Sequence, residues 1–240
     1  MSHVIDLSHR QTLFKDKIQE IMPQKGNLDM CLTCGTCVNG CPASGLADMD
    51  PRKFLRMVLL GMDKEVLNTP WVWMCTMCQR CKYACPMEID IGSLVSMVRQ
   101  HWHDEGKTPK GIHKSCQFNI ERGSSAGISK DDWLFIVDDT LEEFHEKEPE
   151  WRNVQAHIDK KGAQYYLNQN AREPVTEPEE MIPLWKIFHQ VGIDWTYSSE
   201  YWDATNYCMF AGSSKDWEYV LRKQVELVND LGCKYFINTD

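Results

Sequence analysis

The apolar positions divide the chain into a first part with helical spacing and a last part in which strand and helix alternate. At 50–61, Phe54, Leu55, Val58 and Leu59 form a stripe with the 3.6-residue period. Asp50 suits the N-cap, Pro51 the first helical position and Gly61 the stop. A second amphipathic stretch at 91–105 puts Leu94, Val95, Val98 and Trp102 on one side, and 11–21 predicts a third helix. From 161, strands are expected at 163–167, 193–197 and 233–237. Thr176-Glu177-Pro178-Glu179 reads as a capping box opening a helix that ends at Gly192. Ser213 or Ser214 caps another, with Trp217, Val220, Leu221, Val225, Val228 and Leu231 along one face until Gly232. That alternation predicts a parallel α/β unit with right-handed crossovers. The expected fold class is therefore α+β in two parts: a helical domain at 1–115 and a parallel α/β domain at 161–240. An acidic, mainly helical connector at 116–160 joins them.

At 240 residues and 42% hydrophobic, the chain is long and apolar enough for one or two ordinary cores. Its net charge of −9 argues against nucleic acid as the main partner. The charge is uneven: the first 120 residues carry 14 basic and 12 acidic side chains, the last 120 carry 12 and 23. Asp131, Asp132, Asp138, Asp139, Glu142, Glu143 and Glu146 cluster in the connector, which suits a solvated helix face or, alternatively, a docking surface for a basic partner. The longest apolar stretch, 57–62, is too short to span a bilayer, and the first residues lack an apolar leader core. The expectation is a soluble, cytoplasmic chain, where eleven cysteines need a reason.

Eight of them supply it. Cys31-Leu-Thr-Cys34-Gly-Thr-Cys37-Val-Asn-Gly-Cys41-Pro42 and Cys75-Thr-Met-Cys78-Gln-Arg-Cys81-Lys-Tyr-Ala-Cys85-Pro86 share one grammar, C-x2-C-x2-C-x3-C-P, offset by 44 residues. The doubled run resembles the bacterial two-cluster ferredoxin pattern. Three thiolates at i, i+3 and i+6 on a tight loop reach three irons of one cube, and the fourth, before proline, ligates the other. On that pattern cluster I takes Cys31, Cys34, Cys37 and Cys85, and cluster II takes Cys75, Cys78, Cys81 and Cys41. Gly35 and Gly40 give the backbone freedom where the chain wraps closely. Structural zinc is the rival, but zinc sites use two separated ligand pairs. A disulfide framework does not suit the expected compartment.

Helices of this length between the runs point to the α-helical ferredoxin type. The stretches MCLTCGTCVNGCPASGLADMDPRKFLRM, WVWMCTMCQRCKYACPM and TPKGIHKS resemble heterodisulfide reductase C/D-type iron–sulfur proteins. They are also similar to the second half of the succinate dehydrogenase iron–sulfur subunit. The nearest likeness is to the cytoplasmic iron–sulfur subunits of transmembrane redox complexes of sulfate-reducing bacteria. The resemblance implies an α-helical ferredoxin-like domain with two [4Fe-4S] clusters. It implies single-electron relay within an anaerobic respiratory complex, with a catalytic heterodisulfide or thiol-disulfide reductase subunit as the alternative. The implied partners are other redox subunits, among them a membrane-bound quinone-reactive or cytochrome subunit, which would hold the chain at the inner face of the membrane. Neither nucleic acid nor a span of its own is expected.

The last part resembles the start of the cysteine-rich CCG module of heterodisulfide reductase B/D proteins. Only Cys208 stands at the paired-cysteine position, with Tyr207 where the family has its neighbour, and 117–207 contains no cysteine. The expectation is a partial CCG-like domain, from a fragment of a longer protein or a natural truncation. Cys233 reads as a small hydrophobe opening a buried strand, Cys116 as no ligand, and Cys208 as open to a role in an unusual centre. His101, His103 and His189 read as helix-end or packing histidines before metal ligands. Arg80 and Lys82, beside Cys81, predict that the cube held by the second run is reduced first.

Overall fold

The computed structural model describes residues 13–21 and 23–239. The chain divides into two units, Met1–Lys107 and Thr108–Asp240. The described residues of the first unit form helices α1 (Leu13–Ile21), α2 (Thr36–Asn39), α3 (Pro51–Leu59), α4 (Asp63–Asn68), α5 (Trp71–Met74), α6 (Arg80–Tyr83) and α7 (Ile91–Asp104). Positions 11 and 12 of the expected first helix lie outside the described residues. Asp50 caps α3 as its sequence suggests, its carboxylate accepting from the Lys53 N–H at 2.8 Å. Asp90 does the same for α7 through the Ser93 N–H at 2.9 Å. With their ends satisfied, α3 turns Phe54, Leu55 and Val58 inward, and α7 turns Leu94, Val95 and Val98. These meet Phe14, Ile18, Val66 and Trp71 in one core, against which six of the eight clustered cysteines pack. The Trp71 indole N–H donates to the Ala43 carbonyl at 2.8 Å, tying α5 to the end of the first cysteine run.

The second unit starts with α8 (Lys110–Arg122) and α9 (Lys130–Lys147). Strands β1 (Tyr165–Asn168), β2 (Trp195–Thr196) and β3 (Tyr235–Asn238) then form a parallel sheet in the order β2-β1-β3. Helices α10 (Arg172–Thr176) and α11 (Ile182–Val191) link β1 to β2, and α12 (Tyr207–Ala211) and α13 (Ser214–Leu231) link β2 to β3. Tyr165 registers with Trp195 on one side and Tyr235 on the other. The acidic side chains of α9 named above face solvent, while Trp133, Val137 and Phe144 enter the core. Trp133 stacks on Trp202 with ring centroids 4.0 Å apart and donates to the Ser198 carbonyl at 3.0 Å. Trp185 donates to the Tyr197 hydroxyl at 3.0 Å, which donates to the Gln169 side-chain carbonyl at 2.7 Å. Each buried aromatic thus keeps its polar end paired.

Three local expectations are corrected. Thr176 does not cap a following helix; it ends α10, its hydroxyl donating back to the Arg172 carbonyl at 2.8 Å, and α11 opens only at Ile182 after a short 3-10 turn. On α13 the buried line is Val220, Gln224 and Leu231, while Trp217, Leu221 and Val225 are exposed. Gln224 sets that rotation by donating to the Tyr201 and Asp203 carbonyls at 3.3 and 2.9 Å. The last strand is an edge strand with Tyr235 and Phe236 exposed, and Cys233 sits half-buried before it instead of opening a buried strand.

Trp133→Ala should cost about 3–5 kcal/mol, the range for emptying a fully buried aromatic site. Trp133→Phe should cost clearly less. The urea midpoint of each variant checks this, and equal midpoints for the two would contradict the packing described.

Candidate metal centre

The two cysteine runs share a backbone as well as a spelling. In the first, Thr33 and Gly35 take φ of 57° and 82°; in the second, Met77 and Gln79 take 56° and 63°. Each loop then enters a four-residue helix, α2 or α6. Alternating left- and right-handed residues turn successive N–H groups to one concave side, a conformation suited to anionic sulfur. Glycine meets the left-handed demand at 35, but Gln79 bears it at 79, where an L side chain is strained. The Gln79 amide lies over Gly92, where a Cβ would come within 2.7 Å of its nitrogen, so Gly92 leaves the room that Gln79 needs.

Each loop walls a cavity. The first is lined by Cys31, Cys34, Cys37 and, from the other run, Cys85, with Leu55 and Ile89 as apolar wall. The second is lined by Cys75, Cys78, Cys81 and, from the first run, Cys41, with Trp71 behind them. Among the described residues no three His, Cys, Asp or Glu side chains converge as they would on one metal ion. All eight thiols are free.

The thiols differ by depth. Burial pushes Cys37 up to about 11, and neighbouring Cys85 and Cys31 add to it. Burial pushes Cys81 up to about 12, with Cys75 and Cys41 adding. Cys75 is also raised by burial. At the mouths the balance reverses. Cys34 is lowered by the Thr36 hydroxyl, 3.3 Å away, and the Thr36 N–H. At Cys78 burial works upward, but the Arg80 N–H, the Thr76 hydroxyl and the Arg80 charge outweigh it. Lys82, counted above as a free cation, pairs with Asp90 at 2.9 Å. Sequence reasoning missed Arg52 at the rim of the first cavity and Arg99, buried beside Cys75. An arginine inside an amphipathic helix gives no sign of where its head lies until α5 and α7 are packed.

Among the described residues, neither the other cysteines nor any histidine lines either cavity. Cys116 on α8 and Cys208 on α12 form a disulfide, their Cα atoms 4.5 Å apart and 92 residues apart in sequence. This corrects the separate readings of the two, because the cysteine-free stretch 117–207 folds back to bring α12 against α8. His101 pairs with Glu105 at 3.1 Å and His189 packs edge-on to Trp151.

Residues 27–89 match the model of the 4Fe-4S dicluster domain. The matched residues are those that carry the two cysteine-lined cavities, so fold, cysteine geometry and this match agree on an iron–sulfur domain of the dicluster kind in the first unit. Similar proteins include heterodisulfide reductase iron–sulfur proteins of the C type. The C-type member of the H(2):CoB-CoM heterodisulfide,ferredoxin reductase of Methanothermobacter marburgensis is 33% identical over 103 residues, 43% of this chain and 56% of the relative. The second C-type iron–sulfur protein of the CoB–CoM heterodisulfide reductase of Methanocaldococcus jannaschii is 31% identical over 97 residues, 40% and 52% of the two chains. The electron transport protein YkgF of Escherichia coli is 27% identical over 108 residues, 42% of this chain and 22% of that one. The chain spans about half the length of the two archaeal relatives. Among the described residues no helix is long and apolar enough to cross a membrane.

In cluster-free protein the depth difference sets reactivity. A lowered pKa leaves more thiolate near pH 8, so Cys34 and Cys78 should alkylate first, while Cys37 and Cys81 stay protonated until far higher pH. Mass-spectrometric mapping of iodoacetamide labelling checks this; Cys37 or Cys81 labelling as fast as Cys34 would count against it.

Proposed function

We propose that this chain is an electron-transfer subunit holding two [4Fe-4S] clusters, one on Cys31, Cys34, Cys37 and Cys85, the other on Cys75, Cys78, Cys81 and Cys41. The observation that carries the reading is the pair of cavities, each walled by three cysteines of one run and the fourth of the other. The donor set fits: four soft thiolates per cavity, N–H groups turned inward by the left-handed residues, and apolar walls that exclude water. A bound cube supplies one-electron chemistry at a potential governed by hydrogen bonds to sulfur, burial and nearby charge. The chain's own contribution is to bind, to screen from water and to supply those charges.

The relatives, named as parts of heterodisulfide reductases, support assembly with other redox subunits. We read the partners as including a membrane-bound quinone-reactive or cytochrome subunit, in an anaerobic respiratory complex like those of sulfate-reducing bacteria. That would place the chain at the cytoplasmic face of the membrane. The parallel order of the second unit supports its reading as a partial CCG-like domain. Catalytic disulfide reduction, the second reading, draws on Cys116 and Cys208. Both are buried, 2% and 0% exposed, so an incoming thiolate reaches neither sulfur without local opening.

The loaded chain should contain about eight irons and eight acid-labile sulfides. Replacing Cys116, Cys208 and Cys233 together by Ser should leave that count unchanged while lowering stability, because the lost disulfide closes a long loop worth about 4–5 kcal/mol in the chain-entropy model. Loss of four irons would mean that a third cysteine set takes part. Cys85→Ser should perturb the spectrum of the cube that Cys34→Ser also perturbs. Damage confined to the cube marked by Cys78→Ser would refute the crossed ligation.

A further inference from the structure

The fixed charges around the two cavities are unequal. At the first, Arg52 lies half-buried at the rim, against Gly35. Opposing it is Asp50, buried as the cap of α3, the helix whose first turn carries Arg52. At the second, Arg80 lines the loop, and the Lys82 charge is met by Asp90, whose side chain is 8% exposed. Behind that loop stands Arg99, 1% exposed. Its Nε and Nη2 donate to the Val72 carbonyl at 2.9 and 2.8 Å, and Nη2 also donates to the Cys75 carbonyl at 2.5 Å. Its Nη1 is 3.2 Å from the Met77 sulfur, and the guanidinium lies over the Trp73 ring at 5.4 Å. The planar fork therefore grips the carbonyl end of α5 and the backbone of the first cysteine of the second run. A guanidinium stays charged on burial where an ammonium would not.

We infer that Arg99 is a positioning residue for electron transfer, holding the second cavity at the higher reduction potential so that it is reduced before the first. The inference rests on the two-cluster reading above. Adding one electron puts one negative charge into a cavity, with no bond formed or broken. Arg99 meets that charge in place, from a low-dielectric position where attraction is strong and salt does not screen it. The first cavity has a half-exposed arginine offset by a buried carboxylate. The surface cations of the second run argue for the same order, but Arg80 is open to screening and Lys82 is compensated.

The test is an EPR-monitored redox titration of the loaded full chain, with Cys34→Ser and Cys78→Ser each marking one wave. The wave of the second cavity should lie higher. Arg99→Met should lower it by at least tenfold in the reduction equilibrium, about 59 mV for a one-electron couple, and leave the other wave in place. Arg99→Gln, which keeps a donor toward the Val72 and Cys75 carbonyls without the charge, should lower it as far as Arg99→Met does; an arginine that served only as a hydrogen-bond donor would be rescued by the glutamine. In the unaltered chain the gap between waves should persist from about 0.05 to 1 M NaCl. A second-cavity wave that is the lower one, that is unmoved by Arg99→Met, or whose gap closes with salt overturns the inference. If Arg99→Met does not load, Arg99→Gln and the salt series decide. About eight irons with an unmoved second wave overturns the inference alone, whereas a single wave with about four irons overturns the two-cluster reading as well.

Discussion

Four cysteine thiols crowd each small, apolar-walled cavity, and the first unit is organised around that crowding. Burial and neighbouring sulfurs together drive the inner thiols, Cys37 and Cys81, far above the ordinary range. Positive charge must come into the cavity for all four to ionise, and N–H groups and guanidinium heads must face it. The left-handed residues at 33, 35, 77 and 79 turn the amides. Arg52 and Arg99 bring the heads, and the helices between the runs hold both arrangements against one core. The caps at Asp50 and Asp90 serve the same end, since α3 and α7 carry those two arginines. Asp90 also neutralises Lys82, so one carboxylate both starts a helix and adjusts the field beside Cys81.

Much of this was legible in the sequence. The doubled cysteine spacing marks both loops, and Asp50-Pro51 with its apolar stripe marks α3, because capping and periodicity are local. The parallel order of the second unit follows from alternating strands and helices, with Gly192 and Gly232 at positive φ marking the stops. What escaped depends on contacts between distant segments. Arg99 acquires its role only when α7 lies against α5, and Gln79 is tolerated only because Gly92 faces it. Cys116 and Cys208 meet across 92 residues of chain. Thr176 has the letters of a cap, yet bonds backward within its own helix. On α13 a single glutamine, bonded to two carbonyls, outweighs a stripe of apolar residues in deciding which side faces in.

The two units solve the burial of polar groups differently. In the second, indole and phenol groups serve as both filling and hydrogen-bond partners: Trp185, Tyr197 and Gln169 form a chain that runs on to Glu173, and Trp133 reaches Ser198. Such a core needs no metal to complete it. In the first unit the buried polar groups are charged, Asp50, Asp63, Asp90 and Arg99, and the clustered sulfurs lie only partly covered.

The crossing of the runs has a consequence for assembly. Cys41 lies four residues beyond Cys37, and Cys85 four beyond Cys81, so each cavity borrows its fourth wall from a segment anchored at the other. Four residues reach at most about 14 Å when extended. Closing one cavity therefore fixes the remaining segments at a high effective concentration for the second, converting its closure into an intramolecular event. Loading should be cooperative, with half-filled chains scarce at equilibrium, and loss of either centre should loosen the other.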